Sequence, residues 1–143
     1  MPVANAKNGV SMGKFEIKDS FDPKYKSSML PVMGAAFKKG IEASGDFTTA
    51  AGGDDAKSFM IKVSLSITKD DKSKPPKLKV AAAAAGLLTG RGTSGQQFAM
   101  QSNVTATTSS KIDSDVKLTV EDAIDGLTDK NGKMLQAMRN FLK

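Results

Sequence analysis

The sequence predicts an α+β domain with the element order β-α-β-β-β-α, in which an antiparallel sheet carries two helices packed on one of its faces. Two patterns support this prediction. Apolar and polar residues alternate in three long segments, as in half-buried strands. In two other segments, apolar residues recur at steps of three and four, as in amphipathic helices. We expect a flexible lead-in over residues 1–13 and a single α+β domain over residues 14–143.

The first strand and the first helix are predicted before residue 46. The strand begins at Lys14, because Phe15 and Ile17 then alternate with charged residues until Asp22-Pro23 breaks the pattern. Gly45 is placed to end the helix that follows in a left-handed conformation. The apolar stripe of this helix consists of Met29, Val32, Met33, Ala36, Phe37 and Ile41.

Three further strands are predicted over residues 59–68, 77–88 and 96–107, joined as an antiparallel meander. The run from Ala81 to Ala85 favours a helix in isolation, but the alternation before it and the glycine-rich turn after it favour a strand. Ala81, Ala83 and Ala85 would then form a smooth patch opposite the core. Such a patch suits close approach by a helix or another sheet, through core packing or through self-association.

The last element is predicted to be a helix interrupted at Asn131-Gly132. Val116, Leu118 and Val120 also alternate, so a short strand at this point is an alternative interpretation. Both halves of the helix carry apolar stripes that face the sheet. The predicted core comprises Phe15, Ile17, Met33, Phe37, Ile41, Ile61, Val63, Leu65, Val80, Phe98, Ile124 and Leu127.

The composition argues against an enzyme. The chain contains no histidine, cysteine or tryptophan, which excludes an imidazole base, a thiolate nucleophile and the usual transition-metal ligands. The carboxylate pairs Asp54-Asp55, Asp70-Asp71 and Glu121-Asp122 are adjacent in sequence and are expected to be solvated, whereas acid–base catalysis needs two carboxyls that converge on one cleft. We therefore predict no catalytic residue, no metal and no cofactor.

The sequence does not decide the cellular location of the protein. No apolar run approaches the roughly 20 residues that a transmembrane helix needs, so no transmembrane segment is expected. The N-terminus lacks the apolar stretch of a signal peptide. The expected location is therefore the periplasm or cell envelope if a leader has been removed, and otherwise the cytoplasm.

The net charge of +6 comes from lysine rather than arginine, since Arg91 and Arg139 are the only arginines. A lysine-rich surface usually serves solubility and attracts anionic partners weakly. The lysine-rich loop 69–79 supplies the candidate site for such a partner. The candidate contact residues are Lys62, Lys72, Lys74, Lys77, Lys79 and Arg91.

The segment Gly90–Gly95 matches the pattern G-x-G-x-x-G of dinucleotide-binding loops. That chemistry requires a helix directly after the glycines, with its N-terminus aimed at the phosphates. Here Gln97, Phe98 and Ala99 continue in a strand-like alternation instead. We therefore expect a flexible hairpin loop.

The order of elements resembles a known family layout. A strand is followed by a helix ending in Ser44-Gly45-Asp46-Phe47, a three-stranded meander and a helix that begins near Lys111-Ile112-Asp113. This layout, from Lys14 to Leu142, resembles the small envelope domains related to the TolB N-terminal domain and the CsgG group. The resemblance implies a non-catalytic domain of a bacterial cell-envelope assembly that binds other proteins.

Two functional hypotheses follow. The first is a protein-binding or scaffolding domain that uses a sheet edge or the helix-free face, and that forms homo-oligomers through the edge or the face of Ala81–Ala85. The alternative is a weak nucleic-acid or anionic-ligand binding module that uses the lysine-rich loop 69–79.

Overall fold

The computed structural model describes residues 8–49, 58–89, 95–129 and 131–142. The elements in chain order are β1 (Asn8–Ser20), α1 (Tyr25–Ser28), α2 (Leu30–Ala43), β2 (Phe47–Thr48), β3 (Ser58–Asp70), β4 (Lys77–Thr89), β5 (Gln97–Thr107), α3 (Ile112–Thr128) and α4 (Lys133–Phe141).

The sheet has five strands in the order β2-β1-β3-β4-β5. The predicted meander is confirmed, because β3, β4 and β5 pair antiparallel. The prediction of a wholly antiparallel sheet is wrong, because β1 runs parallel to both β2 and β3. The reason is the connection: a helix, α2, lies between β1 and β3 in the chain, and a helical crossover returns the chain to run in the same direction, whereas a hairpin reverses it.

The first strand begins at Asn8 rather than at Lys14. Val10 pairs with Phe59 and Met12 with Ile61, so residues 8–13 are part of the sheet and not a lead-in. The alternation that marks the rest of the strand is hidden here, because the register with β3 shifts between Met12 and Phe15. Residues 1–7, the remainder of the predicted lead-in, lie outside the described residues.

The alanine run lies in the middle of β4, as predicted. Its residues pair on both sides, with Ala83 opposite Ser64 of β3 and Gln101 of β5. Ala82 and Ala84 are buried beneath the helices, whereas Ala81, Ala83 and Ala85 point to the other face. The tertiary pairing therefore overrides the intrinsic preference of alanine for helix.

The two long helices pack on one face of the sheet, with α2 against β1 and α3 against β4 and β5. This layer encloses a single core that includes Met33, Phe37, Ile61 and Ile124. The predicted core residues are buried except Phe15 and Phe98, which are half-buried because they lie toward the two edges of the sheet.

The C-terminal helix is broken where predicted, and residues 116–120 are helical rather than a strand. α3 ends at Thr128, and Gly132 N donates a hydrogen bond to Asp129 O across a tight turn. α4 then folds back so that Phe141 lies beside Phe98, with their ring centroids 6.3 Å apart. In the described parts of the chain, no helix combines the length and the apolar character needed to cross a bilayer.

Candidate functional site

The candidate site is a groove on the face of the sheet opposite the helices. We define the groove floor as Ser64 and Ser66 of β3, Ala81, Ala83 and Ala85 of β4, and Ala99 of β5. Their positions follow from strand pairing, since Ser64 pairs with Ala83 and Ser66 with Ala81. Small side chains leave an open volume of about 330 Å³ above the part of the floor formed by Ser64, Ala83, Ala85 and Ala99.

The walls of the groove differ in chemistry. On the β1 side stand Lys14, Glu16 and Lys18, joined by Lys62 of β3. The β5 side carries the uncharged amides of Gln101 and Asn103. We call this set of floor and wall residues the open-face groove. It combines a shallow, largely apolar floor with one cationic wall and one neutral, hydrogen-bonding wall.

The cationic wall holds more positive than negative charge. Lys14 Nζ lies 3.5 Å from Glu16 Oε2, and the two side chains are 72% and 39% exposed. An ion pair so exposed contributes little to stability, so both groups remain available to a partner. Lys18 and Lys62 are exposed as well. The groove therefore attracts negative charge, and among the described residues that line it Glu16 is the one carboxylate.

The residues predicted to contact an anionic partner lie in separate parts of the structure. Lys62 lies in the open-face groove, opposite Ala85. Lys77 and Lys79 lie on the same face but near the start of β4. Lys79 is six positions from Ala85, and six residues of strand extend about 20 Å. Lys72 and Lys74 lie in the turn after β3, and Arg91 lies outside the described residues. The predicted set is therefore not one cluster.

The lysine-rich loop 69–79 is partly neutralised by its own acidic residues. Lys69 Nζ lies 3.3 Å from Asp71 Oδ1, and the Lys69 ammonium lies 5.3 Å from the ring centroid of Phe21. Asp70 Oδ1 accepts a hydrogen bond of 2.9 Å from Lys72 N. These contacts organise the loop as a turn and lower its net positive field.

Lys14 and Lys18 are the lysines of the groove that the sequence-based prediction missed, together with the polar residues Glu16, Gln101 and Asn103. The alternation of these two lysines with Phe15 and Ile17 correctly placed them on the exposed side of β1. What was lacking was the neighbour of β1, because parallel pairing with β3 brings Lys14 and Lys18 to the same wall as Lys62. Strand adjacency across a helical crossover leaves no local signal in the sequence.

The glycine-rich segment joins two strands, β4 and β5, and is not followed by a helix. Residues 90–94 lie outside the described residues, and Gly95 has a left-handed φ of +71°. The strand–helix context that dinucleotide binding requires is therefore not met.

Comparison with known proteins gives a fold but no family. No family model matches the sequence, and the search of curated proteins gave no match. Solved structures with a similar fold include a minor lipoprotein from Acinetobacter baumannii, with 12% identity, a TM-score of 0.54 and 94% of each chain covered. Another is the rare lipoprotein B from Shewanella oneidensis, with 11% identity, a TM-score of 0.52, and coverage of 93% of this chain and 95% of that one.

A third similar structure is a DUF330 protein from Xanthomonas campestris, with 13% identity and a TM-score of 0.62, covering 97% of this chain and 91% of that one. None of these three is described as a TolB or CsgG protein. At such identities the likeness is one of fold alone. The chain thus has the α+β fold found in small bacterial lipoproteins.

Proposed function

We propose that this chain is a non-catalytic domain associated with the bacterial cell envelope, and that it binds a protein partner in the open-face groove. The observation that carries the proposal is the small-residue floor of a sheet face that the described helices leave uncovered. Two observations support a location in the cell envelope: the fold is shared with small lipoproteins, and the order of elements resembles that of TolB and CsgG domains.

The alanines on the open face are the main support. Alanine is disfavoured in strands relative to β-branched and aromatic residues, which cover a pleated surface better. On the buried face, Ala82 and Ala84 make room for the helices. On the open face, none of the described helices packs on Ala81, Ala83 and Ala85, which are half-buried or exposed, so their small size is not needed to seat a helix of this domain. Such a floor allows the backbone of a partner helix or strand to approach closely.

The cationic wall indicates the chemistry of the partner. Lys14, Lys18 and Lys62 line the same side of the groove, with Glu16 as a single opposing charge. Complementary charge speeds encounter and selects register more than it adds affinity. The fitting partner therefore presents carboxylates along one side of an apolar ridge, while Gln101 and Asn103 supply hydrogen bonds to the other side.

A site-specific cross-linking experiment tests this proposal. A photoreactive amino acid would replace Ala83 or Gln101 in the groove, and in the control protein it would replace Lys38, an exposed residue of α2 on the opposite side of the molecule. In the envelope fraction of the source organism, we expect a protein adduct of one defined mass from the groove positions only. Peptide mapping should place the cross-link beside an acidic segment of the partner.

Substitution of the floor provides the matched control. Ala83→Arg fills the groove and should abolish the adduct formed from Gln101, whereas Ala83→Ser keeps the floor small and should preserve it. Equal labelling from Lys38, or an adduct with a different protein that survives Ala83→Arg, would contradict the proposal. An adduct between two copies of this chain does not count in this test. A different result would be that the protein binds nucleic acid, and loses this binding when glutamine replaces the four lysines Lys72, Lys74, Lys77 and Lys79. In that case the alternative function, anionic-ligand binding by loop 69–79, replaces the proposed one.

A further inference from the structure

The two edges of the sheet are built differently. Beyond Gly9, where its pairing with β2 ends, β1 has two register shifts and the charged residues Lys14, Glu16, Lys18 and Asp19. Bulges and charges of this kind prevent a strand edge from pairing with another chain. At the opposite edge, the eleven residues of β5 include no charge, no proline and no glycine. They pair with β4 in an unbroken register, so this edge has none of those protections.

The hydrogen bonds at the two ends of β5 show which backbone groups point outward. Gln96 O accepts a bond from Leu88 N, and Thr108 N donates one to Pro76 O. In an antiparallel ladder, such residues alternate with residues whose N–H and C=O groups point away from the neighbouring strand. Even-numbered residues of β5 therefore bond to β4. The outward-pointing groups belong to Gln97, Ala99, Gln101, Asn103, Thr105 and Thr107.

The side chains of β5 are nearly symmetrical about Ser102. Consider two copies of β5 that pair antiparallel with Ser102 of one copy opposite Ser102 of the other. Met100 then faces Val104, and Phe98 faces Ala106, on the helix-covered side. Gln101 faces Asn103 on the open side. On the helix-covered side the apolar residues of these pairs meet apolar ones, on the open side Gln101 meets the amide of Asn103, and no like charges are opposed anywhere along the strand. In the same register, each residue whose N–H and C=O groups point outward lies opposite another such residue of the second copy. The two residues can therefore exchange backbone hydrogen bonds.

We propose that β5 pairs antiparallel with β5 of a second copy of this chain, about a twofold axis at Ser102. The pairing doubles the five-stranded sheet and removes its unprotected edge. Since the axis is perpendicular to the sheet, the helices of both copies lie on one side and the two open-face grooves lie next to each other on the other. The proposal does not depend on what the grooves bind.

Sedimentation of the full chain tests the pairing. We expect the unmodified protein to have twice the mass of the 15.0 kDa chain. Asn103→Pro should yield the monomer, because proline removes an outward-pointing N–H and is tolerated on edge strands. Asn103→Lys should do the same by placing charge at the centre of the pair. Ser28→Lys, which adds the same charge on exposed α1, should leave the dimer intact.

Circular dichroism must show that the Asn103 variants remain folded, and Asn103→Lys keeps the test valid if Asn103→Pro does not fold. A monomer at the highest soluble concentration would overturn the proposal. So would a dimer that persists in folded Asn103→Lys protein, or that is lost equally in Ser28→Lys. Assemblies larger than a dimer would overturn the closed twofold arrangement.

Single cysteines test the register, since the chain contains no cysteine of its own. Ser102 would face its own symmetry mate in a non-hydrogen-bonded pair, where Cα atoms lie about 4.5 Å apart, within the range that a disulfide spans. Ser102→Cys should therefore form a covalent dimer on mild oxidation, whereas Met100→Cys and Val104→Cys should not. Cross-linking of either control in preference to Ser102→Cys would refute the register. Ala83→Arg should not change the mass, which separates this pairing from binding in the groove.

Discussion

Arg139, in α4, donates two hydrogen bonds to the carboxylate of Asp46, in the turn after α2. The distances are 2.7 Å from Nε to Oδ2 and 2.9 Å from Nη2 to Oδ1. The guanidinium also lies 5.9 Å from the ring centroid of Phe47. Paired donors that match a carboxylate are among the stronger polar contacts in proteins. This contact holds the last helix against the start of β2.

The pair predicts a pH-dependent contribution to stability. The hydrogen bonds from Arg139 lower the pKa of Asp46 below its ordinary value. A carboxyl with a lowered pKa stabilises the fold above its unfolded-state pKa, and this stabilisation is lost as the pH falls through the folded-state pKa. We expect Asp46→Asn to lower the free energy of unfolding at neutral pH by about 1 kcal/mol, since the pair is partly exposed. Urea titrations should show that this difference in unfolding free energy vanishes in acid. The control Asp19→Asn, at an exposed residue of β1, should not change the unfolding free energy at either pH.

Two glycines of α2 should respond to alanine in opposite directions. A Cβ at Gly34 would lie 3.5 Å from Met12 Cε, which is an ordinary contact, whereas a Cβ at Gly40 would lie 1.9 Å from Thr128 Oγ1. Gly34→Ala should stabilise the protein by about 0.5–1 kcal/mol, as expected inside a helix. Gly40→Ala should destabilise it by about 1–3 kcal/mol, because α2 and α3 must separate. Thermal unfolding of the two variants gives the comparison, and a stabilised Gly40→Ala protein would contradict this packing.

Gly86 makes room for the ring of Phe98 on the neighbouring strand. A Cβ at residue 86 would lie 2.1 Å from Phe98 Cζ, and that ring also packs against Phe59 at 5.9 Å between centroids. Gly86→Ala should lower the free energy of unfolding by about 1–3 kcal/mol. Adding Phe98→Leu should recover part of this loss, because the side chain over residue 86 becomes smaller. A double-mutant cycle by chemical denaturation measures the coupling, and strictly additive effects would show that the two residues do not meet.

Tyr25 should ionise at unusually high pH. Its burial and its hydrogen bond to Asp113, at 2.6 Å from Oη to Oδ1, raise the pKa of the phenol above its ordinary value. Tyr25 is the single tyrosine of a chain without tryptophan, so ultraviolet absorbance follows it directly. Tyrosinate should form in urea near the ordinary pKa of about 10 and only at higher pH in the folded protein. The stability that the phenol contributes is present below the unfolded-state pKa and is lost as the pH rises through the folded-state pKa.

Asp113 provides the matched test of that cause. Asp113→Asn should lower the pKa of folded Tyr25 but leave it above the ordinary value, because burial remains. Asp129→Asn, at the opposite end of α3, should leave the titration unchanged. Identical folded and unfolded titrations in the unmodified protein would show that Tyr25 is solvated.

The sequence alone predicted much of the local structure. Alternation placed β3, β4 and β5, including the alanine run. Apolar stripes placed α2 and the interrupted C-terminal helix, because periodicity depends on residues close together in the chain. The same patterns identified the exposed sides of β3 and β4, and therefore Lys62 and the small face of Ala81–Ala85.

Only the tertiary structure decided which strands are neighbours. The parallel position of β1 beside β3 follows from the path of the crossover, which no short segment encodes. That pairing brings Lys14 and Lys18 to the wall that Lys62 occupies, whereas the pairing of β3 with β4 places Lys79 about 20 Å along the strand from Lys62. The start of β1 at Asn8 was likewise decided by pairing with β3, which overrides a weak local pattern. Side-chain periodicity determines which face of an element is buried, whereas the groove and the free edge of β5 depend on contacts between residues far apart in the chain.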